Sequence, residues 1–276
     1  MKNHHGQVEA WIGVDVGTTG VRAIAYSIDG EKLASSEAFY PLLTPHTDWA
    51  EENPLEIYES VEKVIRETAA TLRYRNGIAT GIALSTVMHS FAPLDEHRRP
   101  MTNMITWADS RSADIVREMK QDAALAKRFY EKTGCPVHTC YPLAKILWLR
   151  KHLPERFAQM HYVGSLKDYL FEKLTGVFAI DHSAASTSGL YNEADMDWDA
   201  EILSYAGITR DMLPPIVSTT HAEKLTAAAA EATGLPAGLP VVIGATDGVL
   251  VNVGIGAVEP GQLSATIGTS GALRML

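Results

Sequence analysis

At 276 residues the chain has room for one large domain or two small ones, and 46% hydrophobic with 21% charged residues is ordinary globular composition. A formal net charge of -9 and the lack of any Lys/Arg run of five argue against nucleic acid or an anionic membrane as partner. No apolar stretch reaches the roughly eighteen residues of a membrane span, and no signal-peptide core follows Met1, so a cytoplasmic location is expected.

In chain order, apolar residues at 12, 14 and 16 resume at 21, 24 and 26, which predicts a hairpin. Its tip, Asp15 to Gly20, carries one carboxylate, two hydroxyls and glycines that let backbone N–H groups approach a ligand closely. That suits phosphate oxygens and a hydrated metal ion, although Asp and Thr side chains that merely close a turn would look the same. No Lys follows the glycines and no helix starts there, so this is not a Walker loop. Asp29-Gly30 predicts a tight turn, and Glu31 to Tyr40 a third antiparallel strand.

Asn53 as N-cap, Pro54 at N1 and Tyr58, Val61, Ile65, Ala69 and Leu72 on one face predict a helix over 54–73. The near-continuous apolar run from Gly77 to Val87 predicts a strand buried on both faces, and therefore a parallel one. A short strand at 91–94, a turn at 95–100, a polar aromatic string at 105–111 and a helical pattern over 112–132 follow. Cys135 and Cys140 lack a second ligand pair for zinc, and reduced thiols are expected.

Helices are expected over 142–152, 154–160 and 165–174, a block that reads as a lid or insertion, and again over 200–206 and 222–233. An apolar strand over 239–246 then ends in Asp247-Gly248. Residues 254–261 have linker character, and a strand at 262–267 runs into Gly268, Thr269, Ser270 and Gly271. A turn and strand of this kind should lead into further structure, so the sequence is expected to be part of a longer protein. No repeat stands out at a period of 20–50 residues, and the two glycine-hydroxyl turns invite a pseudo-symmetric reading.

Three strand ends share one logic: Asp15 with Gly17, Thr18 and Thr19; Asp247 with Gly248; and Gly268, Thr269 and Ser270. Two hydroxyl-rich turns can hold a polyphosphate while two carboxylates bind magnesium and accept a proton, which is a grammar of phosphotransfer. With these pieces the sequence resembles the FGGY family of carbohydrate kinases. The resemblance runs from Ile12 to about Arg274 and includes Pro142 to His152 with Lys145 and Trp148, Leu174 to Gly176, Asp181 to Ser186, Trp198-Asp199, Leu213-Pro214 and Gly244 to Gly248. It departs at Cys140, where family members usually carry an aromatic, Met, Gly or Ser residue.

The resemblance implies an α/β, ribonuclease H-like domain of the actin/Hsp70/hexokinase superfamily, a mixed sheet with flanking helices. Residues 1–256 would form the N-terminal, sugar-binding and base-bearing domain, and 257–276 a linker and the opening strands of a C-terminal ATP-binding domain. It implies ATP and Mg2+, Asp247 as catalytic base, and Asp15 with Asp247 at the metal. Gly17, Thr18, Thr19, Arg22, Gly268, Thr269 and Ser270 would approach the nucleotide, although Arg22 also reads as a solvated strand residue. Closure of both domains would complete the site, so this half alone should bind sugar weakly and transfer phosphate poorly.

On the substrate side, Met88, His89 and Ser90 follow the buried strand, at the carboxyl end where α/β proteins place ligands. Trp107, Asp109 and Arg111 bring an aromatic floor, a carboxylate and a guanidinium within five residues; Asp109 could also cap the next helix, and Arg111 pair with Asp114. Family members that phosphorylate gluconate look similar in these two strings, at Gly134 to His138 and at Ser165 to Tyr169. A sugar acid, gluconate first, is therefore the expected substrate, with xylulose or another polyol as the alternative, because xylulose kinases share Met88-His89 and Lys167 to Leu170. His138, Lys145 and Asp168 complete the substrate set. For each a structural role competes: loop packing for His138, helix placement for Lys145, and a capping box with Ser165 for Asp168. His4, His5, His46, His97 and His152 read as solvated. A homodimer is left open, and a nucleotide switch or a non-catalytic sugar-binding regulator are the rival functions.

Overall fold

The computed structural model describes residues 6–267 and 271–275. The chain opens with a meander, β1 (Val8–Val16), β2 (Gly20–Ser27) and β3 (Lys32–Phe39), followed by the short β4 (Glu51–Glu52). Helix α1 (Pro54–Tyr74) leads to β5 (Gly77–Thr86), and β6 (Ala92–Leu94) and β7 (Met104–Ile105) come next. Four helices follow: α2 (Ala113–Gln121), α3 (Ala123–Thr133), α4 (Pro142–His152) and α5 (Pro154–Ala158). Then come β8 (Tyr162–Gly164), α6 (Leu166–Thr175), β9 (Ile180–Asp181), α7 (His182–Ser186), β10 (Tyr191–Asn192), β11 (Asp197–Trp198) and α8 (Ala200–Ala206). The final stretch holds β12 (Ile216–Val217), β13 (Ala222–Lys224), α9 (Ala227–Thr233), β14 (Pro240–Thr246), α10 (Asp247–Gly254) and the hairpin of β15 (Leu263–Ile267) with β16 (Gly271–Met275).

Six strands form the main sheet in the order β13-β14-β5-β1-β2-β3. β5 pairs in parallel with β1 on one side and β14 on the other, as its near-continuous apolar run predicts. Period-2 alternation turns Ala10, Ile12, Val14 and Val16 of β1 inward, into one core with Ile57, Val61, Val64, Ile65 and Leu72 of α1. Helix α1 starts where it does because the Asn53 side chain accepts from the N–H groups of Leu55 and Glu56, with Pro54 supplying the fixed φ of the first turn.

A second core lies apart from the sheet and gathers Phe91, Ile115, Met119, Phe129, Ile146, Leu149, Trp198 and Ile202. The block expected as a lid over 142–174 divides between the two: α4 belongs to this second core, whereas Leu166, Leu170, Phe171 and Leu174 of α6 pack under the sheet. Two further expectations are corrected. The helix over 112–132 breaks at Asp122, whose side chain accepts from Leu125 N and starts α3 afresh. The helix over 222–233 begins only at Ala227, because Ala222–Lys224 pairs with the edge of β14, a tertiary contact that overrides local propensity.

β14 carries a bulge: Ile243 and Gly244 together face Leu84, since Val242 pairs with Ala83 and Ala245 with Ser85. Gly244 has φ of +68° there, and a Cβ on it would lie 1.8 Å from the Leu84 carbonyl oxygen. Gly244→Ala therefore combines left-handed strain with a backbone clash and is expected to destabilise by about 3 kcal/mol or more. Gly30→Ala, at φ +83° in open space, is expected to cost only about 1–2 kcal/mol. Urea melts with an unchanged m-value measure both.

Candidate functional site

The hairpin tip between β1 and β2 is fastened from several sides. Gly17 N donates to Gly20 O at 2.9 Å, and the Tyr40 hydroxyl donates to Gly17 O at 2.6 Å and Gly20 O at 3.1 Å. Burial, then the charges of Glu52 and Asp15, push the Tyr40 hydroxyl far above its ordinary value, so it remains a donor. Thr18 accepts from Trp107 Nε1 at 2.9 Å, which joins the phosphate-type turn to the aromatic string. Asp15 accepts from Ser85 Oγ at 2.7 Å on the neighbouring parallel strand. Thr19 is exposed, and Arg22, opposite Asp15 in the register, pairs with Glu37 at 2.9 Å on the open face.

Asp247 opens α10 directly after β14, and its Oδ1 accepts from Gly248 N at 2.7 Å. Burial raises its carboxyl above the ordinary range, with the Asp15 charge acting in the same direction and Gly248 N–H, Arg274 and Lys167 opposing. Gly248 lies under Met88: a Cβ there would meet Met88 Cε at 2.5 Å. Two carboxylates at the ends of β1 and β14, on either side of β5 and with hydroxyls beside them, are a donor set that fits a largely hydrated magnesium ion. Gly268, Thr269 and Ser270 lie outside the described residues.

His89 adopts φ of +66°, a left-handed conformation rare for a residue with a Cβ. Two contacts hold it there. Its Nδ1 meets Thr187 O at 2.7 Å, and Lys145 Nζ donates to His89 O at 2.6 Å and to Cys140 O at 2.7 Å. Burial lowers His89 to about 4, so the ring is neutral at pH 7 and Nδ1 carries the proton donated to Thr187, leaving Nε2 as an acceptor. Burial also lowers Lys145 to about 7, with Asp109 opposing. Lys145 thus shapes the His89 turn through its backbone.

Ser90 Oγ accepts from Leu166 N at 2.9 Å, and Asp168 closes the capping box of α6 by accepting from Ser165 N and Oγ. Met88, His89, Ser90 and Asp168 line one cavity between the two cores. Burial raises Asp168 to about 7 against those Ser165 contacts. Asp109 and Arg111 are spent on one another. Asp109 accepts from Ala50 N at 2.7 Å and from Arg111 Nη2 at 2.7 Å, while Arg111 also reaches Glu51 at 2.6 Å and stacks 3.6 Å over Trp49. The Arg111–Asp114 pair is not formed; Asp114 meets Lys151 and His152 instead. His152 is exposed, as expected, and makes that pair while its ring stacks on Trp148. His138 Nδ1 accepts from Cys140 N at 3.1 Å in a separate pocket beside Cys135, and both cysteines are free thiols. The substrate candidates therefore fall into three places: the cavity under Met88 to Ser90, the Arg111 cluster beside the phosphate-type turn, and the His138 loop.

Sequence reasoning gave no role of their own to Tyr40, Ser85, Glu52, Lys167, Asp181 or Ser183, although the last three lie in strings that carry the family resemblance. Ser85 could have been found by counting one strand register from Asp15, and Tyr40 by its place at the end of the strand that returns to the turn. Glu52 gives no local signal.

The model of the FGGY family of carbohydrate kinases, N-terminal domain, matches residues 10–254. The chain belongs to that family. Like other FGGY members it has a ribonuclease H-like fold: it superposes on gluconate kinase from Lactobacillus acidophilus with a TM-score of 0.93 and 32% identity, over 98% of this chain and 54% of that one. A ligand-bound xylulose kinase from the same organism gives a TM-score of 0.93 and 32% identity, over 97% and 54%. Among curated FGGY relatives, gluconokinase of Bacillus subtilis (strain 168) is 38% identical over 267 residues, 96% of this chain and 51% of its own length. L-xylulose/3-keto-L-gulonate kinase of Escherichia coli (strain K12) is 31% identical over 262 residues, 94% and 52%. The chain spans about half the length of the curated relatives it matches.

Glu52, whose charge reaches Tyr40, is fully buried, with neither carboxylate oxygen hydrogen-bonded. Burial raises it from 4.5 to about 8. Between these values the folded chain holds a proton that the unfolded chain has lost, so this group's contribution to stability falls as pH rises. Glu52→Gln is expected to gain on wild type through that window, by up to roughly 1.4 kcal/mol per pH unit, in paired urea melts from about pH 5 to pH 8.

Proposed function

We propose that this chain is the sugar-binding, base-bearing half of an ATP-dependent gluconate kinase that works in the cytoplasm. The observation that carries the reading is Asp247 at the start of α10, electrostatically coupled to Asp15 on the far side of β5. Residues 1–256 would form this domain, and 257–276 the linker and first strands of a nucleotide-binding domain. Among the described residues no helix is long and apolar enough to cross a membrane. The gluconate assignment is supported by the gluconokinase relatives and by the Met88-His89-Ser90 turn. A xylulose or other polyol kinase is the second reading, favoured by the xylulose kinase structural relative.

In this mechanism a terminal sugar hydroxyl lies beside Asp247, which takes its proton as the oxygen bonds to the γ-phosphorus of ATP and the bond from that phosphorus to the β–γ bridging oxygen breaks, releasing ADP. A raised carboxyl is the stronger acceptor, and the late proton loss of a loose transition state asks no more of it. Gly248 N–H holds the carboxylate in one orientation. Asp15 and Asp247 would hold magnesium, which supplies charge neutralisation on the phosphate oxygens. Gly17, Thr18 and Thr19 would meet the phosphates through the turn that Tyr40 and Trp107 brace, and Gly268, Thr269 and Ser270 would close on them from the other side. Arg22 would join them only after leaving Glu37. Neutral His89 offers Nε2 to a sugar hydroxyl, while Asp109 and Arg111 shape the wall beside Trp107.

A coupled assay of the full-length protein with gluconate, xylulose, glycerol and fuculose tests this reading, and gluconate is expected to be turned over best. Asp247→Asn should lower kcat by about 10²–10⁴-fold while gluconate still raises the melting temperature. ATP hydrolysis without sugar would identify a nucleotide switch, and sugar binding without transfer a regulator.

A further inference from the structure

The bulge in β14 does more than bend a strand. Side chains alternate between faces along a strand, so one extra residue reverses the phase of everything beyond it. Val242 and Ala245, three positions apart, occupy the same face because Ile243 and Gly244 share one partner. The shifted register ends at the Thr246–Thr86 pair, where Thr246 caps α10 and Asp247 follows within reach of the Asp15 charge. An unbulged strand would turn Thr246, the residue from which α10 departs, to the other face.

Lys167 closes around this step. Its side chain is 1% exposed, and Nζ donates to Ile243 O at 2.8 Å and Ala245 O at 3.0 Å, the two carbonyls that flank Gly244. The ammonium lies 3.9 Å from Asp181 Oδ2, which has no hydrogen-bond partner, and it also faces the charges of Asp247 and Asp15. Asp181 Oδ1 accepts from the Ser183 hydroxyl and from Ser183 N at 2.9 Å, and Ser183 Oγ in turn accepts from Thr246 N at 2.9 Å. One buried network thus holds three successive points of the backbone before Asp247. Lys167 is itself fixed in the first turn of α6 by the Ser165–Asp168 capping box.

We infer that Lys167 is a positioning residue for Asp247, clamping the carbonyls on both sides of the Gly244 bulge so that the carboxyl is presented toward Asp15. The inference rests on the reading of Asp247 as the base. Lys167 never touches substrate in this role; it fixes the strand-to-helix step, where a displacement near 1 Å can cost about 10²-fold in rate.

The test uses Lys167→Ala in the full-length protein. It is expected to lower kcat with gluconate by roughly 10–100-fold while KM for sugar and ATP moves less than about threefold. The lost side chain adjoins the cavity under Met88 and His89. Ethylammonium chloride is therefore expected to restore kcat roughly fivefold or more, and sodium chloride at equal ionic strength to restore nothing. Independently of activity, the Gly248 and Thr246 amides should shift and exchange about tenfold faster, while Leu84 in β5 stays protected. Lys167→Met, which keeps the apolar stem, carries the same expectations apart from rescue if the alanine variant does not fold. Wild-type kcat, a parallel rise in KM without rescue, or unmoved Gly248 and Thr246 amides would each overturn the inference. If the unaltered protein phosphorylates no sugar, the kinase reading falls, and the amide measurement alone decides whether Lys167 holds the Asp247 step.

Discussion

Parallel strands in register arrive together at one edge of a sheet, and that constraint organises this molecule. β1, β5 and β14 run side by side in the same sense, so their carboxyl ends bring Asp15, the Met88-His89-Ser90 turn and Asp247 to a common edge. Neighbouring strands lie about 4.8 Å apart, so the backbones of β1 and β14 are separated by roughly 10 Å. That gap suits a phosphate group and a hydrated cation between two carboxylates. The antiparallel neighbour β2 supplies the other requirement, a tight glycine turn, because only an antiparallel partner can return within a few residues.

Holding strand ends still requires donors for carbonyls that leave the ladder, and this chain uses buried lysines. Lys145 satisfies the carbonyls of His89 and Cys140, and Lys167 those of Ile243 and Ala245. Burying an ammonium is expensive, which is why both are lowered, to about 7 and about 8. Arg111 solves the same problem differently, with two carboxylates and the face of Trp49 around one guanidinium. Each of these buried cations fixes a loop or strand end near the candidate site. None is placed as a hydrophobic side chain would be, simply to fill volume.

The main sheet was legible because its signals are local: alternation in β1 and β2, a near-continuous apolar run in β5, and a capped amphipathic helix between β3 and β5. That a glycine turn would follow β1 and a carboxylate would follow β14 was legible for the same reason, as local signals at strand ends. Three kinds of feature escaped. Ala222–Lys224 reads as helix by composition and is a strand only because β14 has a free edge. Lys167 and Asp181 meet across the fold, and no spacing encodes that. Arg111 looked free to greet a ligand, but Glu51, sixty residues earlier, is what it finds. The bulge at Gly244 lies between these extremes, since glycine hints at an irregularity without saying which face the following residues take.

The cavity beneath Met88 and His89 is lined from both hydrophobic cores, by Val87 of the sheet core and by Val163, Ile180, Leu190 and Trp198 of the second. The sheet core fixes Asp15 and Asp247, whereas the second core sets the shape of the wall built from α4, α7 and α8. Changes in well-separated regions combine almost independently. The second core could therefore be re-cut, methyl group by methyl group, away from β9 and α7, whose Asp181 and Ser183 hold Thr246, without disturbing the register that aligns the carboxylates. The cavity wall can then change shape while the two carboxylates keep their places, a division written into how the two cores are packed.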